Sequence, residues 1–253
     1  MKRNQIAAQL YTVRGFTKTA EELDAALGKI KAIGYEAVQV SGIGPIAPET
    51  ILELCRRHGL TICATHVPFD RLLRDLEQVI EVHRAWDCRY AGLGSMPEAY
   101  RTGLEGYREM ARLLSGIGAK LAEAGIGLIY HNHKFEFEKM AGKPGLEWLL
   151  ELTDARVGFE VDTYWVQAGG ADPVKWIRKA AGRMKVVHLK DMAIVGDAQR
   201  FAEIGEGNLD WPAIIEACRD AGVEWYVAEQ DVCPGDPFES LAISYRALRE
   251  WAE

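Results

Sequence analysis

The chain has 253 residues, with 30 Lys and Arg against 37 Asp and Glu, so its net charge is −7 when the histidines are neutral. Apolar residues make up 48% and charged residues 26%, a balance that excludes a disordered or collagen-like chain. The acidic surplus and the lack of a basic stripe argue against a nucleic-acid binder.

The chain opens with the basic Met1-Lys2-Arg3, but the apolar run from Ile6 to Leu10 is broken by Gln9 and soon followed by Arg14. That is too short for a signal-peptide core. No apolar run approaches the roughly 18 residues of a membrane helix. The expectation is a soluble, cytoplasmic chain. Its cysteines (Cys55, Cys63, Cys88, Cys218, Cys233) are odd in number, scattered, and lack a C-x-x-C pair. They read as reduced packing residues, neither a disulfide frame nor a structural zinc site.

A join recurs along the chain: a helical pattern ends in glycine and a short apolar run follows. It reads Ala32-Ile33-Gly34-Tyr35, Arg57-His58-Gly59-Leu60, Glu123-Ala124-Gly125-Ile126 and Asp220-Ala221-Gly222-Val223. Glycine suits the left-handed position just past a helix. Helix starts carry Thr19-Ala20-Glu21-Glu22, Asp172-Pro173 and Asp210-Trp211-Pro212, a capping box and two acceptor-proline starts. Strands are expected at 6–10, 37–41, 61–66, 90–94, 127–131, 157–162, 185–190 and 225–229. Helices are expected near 20–33, 48–58, 71–86, 103–124, 145–152, 173–181, 211–221 and 238–252. Eight such units, about one per 32 residues, have the count and size of a single-domain α/β (β/α)8 barrel spanning 1–253. A doubly wound sheet would show a glycine-rich turn after its first strand, where this chain has Gln9-Leu10-Tyr11-Thr12-Val13-Arg14.

Barrels of this kind carry their chemistry at the C-terminal ends of the strands. Those ends hold Gln9 and Tyr11, Gln39 and Ser41, His66, then Tyr130-His131-Asn132-His133 with Glu136 and Glu138 beyond. Strand 6 brings Glu160, Asp162, Tyr164 and Trp165; strand 7 His188, Lys190 and Asp191; strand 8 Glu229, Gln230 and Asp231. Carboxylates mixed with imidazoles suit one divalent cation (Mn²⁺, Zn²⁺, Co²⁺ or Mg²⁺). Asp162, His188 and Glu229 are the ligand candidates; strand-end salt bridges such as Asp162 with Lys190 are the plainer alternative. Period-2 alternation turns Lys190 inward with His188, and Glu160 inward one layer below Asp162. Glu160 is thus a rival ligand or a buried carboxylate in need of a partner.

These segments resemble the sugar phosphate isomerase/epimerase superfamily of xylose isomerase-like barrels. The marks are Gln9 to Arg14, Tyr130 to Phe137, Val161-Asp162-Thr163-Tyr164-Trp165, Val187-His188-Leu189-Lys190-Asp191, Gly205 to Trp211 and Ala228-Glu229-Gln230-Asp231. The last motifs of strands 7 and 8 also resemble the inosose dehydratase branch. The resemblance implies a metal held by a glutamate of strand 5, then Asp162, His188 and Glu229. His131 stands where the strand-5 glutamate is usual, and Glu136 is the preferred fourth ligand because a third carboxylate suits a hard cation. Ketose epimerases usually have histidine three residues past the aspartate; this chain has Trp165.

The expected activity is isomerisation or epimerisation of a sugar, by proton abstraction beside a carbonyl through an enediolate. The alternatives are a lyase or dehydratase acting on a keto-sugar, keto-inositol or 3-keto-glycoside, and a non-catalytic sugar-binding barrel. Glu229 with His133 or His131 would serve as acid and base, and Lys190 would bind substrate oxygens. His66, Gln9, Tyr11 and Trp165 are expected substrate contacts, with Phe69 and Phe137 as further pocket walls. His58 and His83 lie in helical patterns and receive no role. The loop 191–210 is long enough to close over a substrate. Partners are a small sugar or cyclitol, with neither nucleic acid nor membrane; a homo-oligomer stays open.

Overall fold

Each glycine of the recurring join adopts positive φ: +124° at Gly34, +61° at Gly59, +77° at Gly125 and +74° at Gly222. At Gly34 a Cβ would sit 2.5 Å from the Tyr245 ring, so space as well as backbone requires glycine there. The computed structural model describes residues 1–253. Its strands are β1 (Ile6–Gln9), β2 (Ala37–Val40), β3 (Thr61–His66), β4 (Tyr90–Leu93), β5 (Gly127–His131), β6 (Val157–Asp162), β7 (Val186–Leu189) and β8 (Trp225–Ala228). All pair in parallel with their chain neighbours, and β1 closes on β8 through Ile6–Tyr226 and Ala8–Ala228. This is the expected (β/α)8 barrel in one domain.

The helices are α1 (Ala20–Ile33), α2 (Pro48–Arg57), α3 (Phe69–Arg74), α4 (Leu76–Ala85), α5 (Gly103–Glu123), α6 (Gly145–Leu152), α7 (Thr163–Ala168), α8 (Pro173–Lys179), α9 (Trp211–Asp220) and α10 (Pro237–Glu250). The Thr19 box forms: its hydroxyl accepts from Glu22 N while Glu22 accepts from Thr19 N. Asp172 and Asp210 cap α8 and α9. The helix expected over 71–86 is two helices, because Asp75 at φ −122° and ψ 31° breaks the run. No helix is long and apolar enough to cross a membrane. All five cysteines are free thiols.

Two layers of packing position the site. Outward-facing strand residues such as Val161, Val187 and Phe159 join the helices in one continuous core. Inside the barrel, Ala7, Ala37, Cys63, Ile129, Val186 and Val227 fill the lower layer with small or branched side chains. Directly above them the interior turns polar, with Gln9, Gln39, Glu160 and His188 fully buried.

Segment 191–210 is more regular than the expected open loop. Asp191–Val195 and Ala198–Ala202 form an antiparallel hairpin around Gly196-Asp197. Asp191 anchors the segment, accepting from the backbone N–H of Met192, Gly205, Gly207 and Leu209 and from the Trp211 indole. Phe201 of the hairpin stacks on Tyr164 of α7, with ring centroids 3.9 Å apart.

Candidate metal centre and substrate cavity

Alternation along β6 and β7 delivers the inward residues as expected: Glu160 and Asp162 on one strand, His188 and then Lys190 on the other. Four buried residues at the C-terminal pole bring donor atoms within 4.8 Å of one another: His131, Asp162, His188 and Glu229. Three of these are expected ligands. The fourth is His131; Glu136, the ligand expected from strand 5, is not among the gathered donors.

Glu136 is fully buried elsewhere. Its carboxylate accepts from the Tyr130 hydroxyl at 2.6 Å and from His133 N at 2.9 Å. Tyr130 alternates with His131 along β5 and so faces the helices, which carries Glu136 to the outer side of the sheet. Burial raises the Glu136 carboxyl to about 7, against the stabilising hydrogen bonds of Tyr130 and His133. Glu136 is therefore a strut of the strand-5 loop.

Local structure presets each member of the cluster. His131 Nδ1 lies 3.0 Å from the Gly94 carbonyl, which can only accept, so Nδ1 carries the proton. Burial first, then the neighbouring His188 and Lys190, drive His131 well below the ordinary imidazole range, so the ring is neutral. Its Nε2 then directs a lone pair toward Asp162 Oδ2, 3.1 Å away. Asp162 uses Oδ1 to cap α7 through Trp165 N at 2.8 Å, leaving Oδ2 for the site. Asn132, a residue the sequence reading gave no role, accepts from Asp162 N and locks that strand end.

His188 Nδ1 lies 2.9 Å from Glu229 Oε2 and 3.8 Å from Asp162 Oδ2, yet it is buried without an aligned hydrogen bond. Divalent-metal bonds of about 2.0–2.3 Å place neighbouring donors roughly 3–3.7 Å apart. The separations of 2.9, 3.1 and 3.8 Å lie within about 0.1 Å of that range, and two acceptors face each other at His131–Asp162. Charge also favours a cation. Lys190 Nζ touches Asp162 at 3.0 Å, Glu229 at 2.6 Å and Asp231 at 2.7 Å. Glu160 adds a further buried carboxylate, so four acids face two cations, the Lys190 ammonium and the His188 ring, whose charge burial opposes but which Glu160 and Glu229 raise to about 10. The residues present therefore fit a divalent ion.

The plainer reading of the strand ends is thus also realised in part, since the Asp162–Lys190 ion pair forms. Burial opposes a charged Lys190, but Asp162, Glu229 and Asp231 hold its ammonium well above its ordinary range. Burial likewise opposes ionised Glu229, and Lys190 and His188 outweigh it and hold the carboxyl well below its usual value. Asp162 is raised by burial against the pull of Lys190.

A cavity of about 350 Å³ opens over this cluster, lined by His66, His131, His133, Lys190, Glu229 and Asp231 among others. Tyr11 and Phe69 line it as expected. His133 stacks on Phe135 with rings 13° from parallel, and burial first, then His131, lowers its imidazole to about 2. Gly92 and Gly94 make room for His66: a Cβ at either would come within 2.9 Å of its ring.

Three expected contacts stand back from the cavity. Gln9 is fully buried and turns its Oε1 to Tyr11 N at 3.3 Å, opening the 3-10 turn Leu10–Phe16. Trp165 lies behind His133, ring centroids 5.3 Å apart, with its indole N–H buried and unpartnered. Phe137 packs edge-on against Trp176 of α8, outside the barrel. His58 and His83 have structural partners, Asp24 for the first and Thr65 with the Val79 carbonyl for the second.

The fold and the cluster define a parallel (β/α)8 barrel with carboxylates and imidazoles gathered at its C-terminal mouth. The chain belongs to the xylose isomerase-like TIM barrel family, whose model matches residues 27–251. It is 24% identical to the rhizopine catabolism protein MocC of Rhizobium meliloti, over 89% of this chain and 79% of that protein. It is 30% identical to an inosose dehydratase of Geobacillus thermodenitrificans, over 54% of this chain and only 52% of that enzyme. Among solved structures, a sugar phosphate isomerase/epimerase of Parabacteroides distasonis superposes with a TM-score of 0.82 at 22% identity, covering 98% of this chain and 94% of that one. An L-ribulose 3-epimerase superposes with a TM-score of 0.72 at 18% identity, covering 99% and 94%. At these identities the structural likenesses establish the fold alone.

Proposed function

We propose that the chain is a divalent-metal-dependent isomerase or epimerase of a small sugar. The observation that carries the proposal is the buried group of His131, Asp162, His188 and Glu229 at the strand ends, two of which, His131 and Glu229, line the cavity. These four would hold the metal. When bound, the ion would polarise a substrate carbonyl and offset the negative charge that grows on its oxygen. A cavity of about 350 Å³ lies at the small end of small-molecule sites, a size suited to a monosaccharide or cyclitol.

The chain's own residues supply the proton transfers. Glu229, kept ionised by Lys190, takes the proton from the carbon beside the carbonyl. Glu229, now the carboxylic acid, returns that proton to the adjacent carbon, while His133, a neutral imidazole on the cavity wall, hydrogen-bonds a substrate oxygen. Lys190 holds Glu229 in place and neutralises Asp231. Tyr11 and Phe69 offer ring faces to the apolar side of a sugar.

A specific feature supports a second reading. Both carboxylates of the cavity, Glu229 and Asp231, come from one strand end and share Lys190, and the other titratable side chains there are the imidazoles of His66, His131 and His133 and the Tyr11 phenol. An imidazole suits protonation of a leaving hydroxyl, as in dehydration of a keto-cyclitol, and several curated relatives are named inosose dehydratases. The test incubates Mn²⁺-supplemented protein in D₂O with ketoses, inososes and 3-keto-glycosides. Solvent deuterium in a product of unchanged skeleton is expected for the isomerase. A dehydrated or cleaved product without any isomer selects the lyase. Tight binding with neither outcome selects a sugar-binding barrel.

A further inference from the structure

Beneath the cluster lies a second polar layer that the proposed chemistry does not use. Glu160 is fully buried one pleat below Asp162, and Gln39 is fully buried on β2. Glu160 Oε1 lies 2.9 Å from Gln39 Nε2, and Glu160 Oε2 lies 2.6 Å from His66 Nε2. Gln39 Oε1 in turn lies 2.7 Å from His188 Nε2. His66 lines the substrate cavity, and its Nδ1 lies 3.3 Å from the Ser41 hydroxyl.

The chemistry of these groups fixes their orientation in sequence. A carboxylate only accepts, so the amide nitrogen of Gln39 must face Glu160. The amide oxygen of Gln39 must then face His188. An amide oxygen only accepts, so His188 Nε2 must carry a proton. The remaining nitrogen, Nδ1, is the one left without an aligned hydrogen bond beside Asp162 and Glu229. Glu160 Oε1 also stands 3.2 Å from His188 Nε2, reinforcing the same proton.

We infer that Gln39 and Glu160 are positioning residues that set the His188 tautomer, so that Nδ1 is the atom offered to a divalent cation, and that Glu160 ties this ligand to the cavity-lining His66. The inference rests on the proposed metal site and extends it below the ligands. Outer partners of this kind typically change metal affinity 10- to 100-fold when removed.

Zinc is the probe, because it is diamagnetic. Zinc affinity of the wild-type chain, Gln39→Met and Glu160→Gln is measured by competition with a chelator. Nitrogen-15 spectra of the zinc-loaded proteins report which His188 nitrogen is protonated and how fast that proton exchanges. Expected for Gln39→Met is a loss of roughly 10- to 100-fold in affinity and faster exchange at Nε2. Glu160→Gln frees the Gln39 amide to rotate and is expected to speed the same exchange; it carries the test if Gln39→Met does not fold. Wild-type affinity and exchange in both variants would overturn the inference. A wild-type chain that binds no zinc would overturn the metal reading beneath it, a distinguishable result.

Discussion

His131 Nε2 faces Asp162 Oδ2 across 3.1 Å while the other nitrogen of the same ring lies 3.0 Å from the Gly94 carbonyl. The carbonyl fixes the proton on Nδ1, so two lone pairs confront one another over the barrel axis. Such a pair is unfavourable unless a proton or a metal lies between them. Replacing His131 with Leu keeps bulk but removes one donor. Expected is a loss of metal affinity of at least 10-fold by titration, with the thermal unfolding of the metal-free protein little changed.

Glu136 should behave in the opposite way. Glu136→Gln is expected to keep the metal affinity of the wild type. It disturbs the pairing with Tyr130 and His133 N and should cost about 1–3 kcal/mol in denaturant unfolding. The pH dependence has a definite sign. With its folded value raised to about 7, the stability Glu136 contributes is fully present below its unfolded value and is lost as pH rises through 7. The stability gap between wild type and Glu136→Gln should therefore narrow between pH 5 and pH 8.

The choice of Glu136 over His131 shows where the sequence stops being informative. Hardness of the ion favours a third carboxylate, whereas reach favours His131. Tyr130 and His131 point to opposite sides of the sheet, and a residue five positions later follows whichever side the loop takes. The strands and most helices were legible because glycine ends the helices and apolar runs start at once. Short α7 was missed because six residues carry no helical period. The 191–202 hairpin did leave a signal, the Gly196-Asp197 pair between two five-residue runs, with Gly196 at φ +60°. Gln39 could have been found too, since a buried amide on an inward strand position needs partners on both of its ends.

Lys190→Met should destabilise the metal-free protein by about 3–5 kcal/mol, because Asp162, Glu229 and Asp231 lose their shared ammonium. Saturating Mn²⁺ should restore part of that loss. Unfolding curves with and without metal check both statements.

Gly92→Ala would bring a Cβ to 2.5 Å from the Thr65 carbonyl and 2.9 Å from the His66 ring. Expected is a loss of about 1–3 kcal/mol in stability, typical of overpacking. His66 would be pushed into the cavity, and substrate affinity should fall more than metal affinity.

The central claim is that one divalent ion sits among His131, Asp162, His188 and Glu229. Anomalous diffraction from crystals grown with Mn²⁺ tests it most directly. The expected result is one strong peak about 2.0–2.3 Å from donor atoms of these four side chains, with Glu136 still on Tyr130. No peak at saturating Mn²⁺, or a peak ligated by Glu136 with His131 turned away, would contradict it.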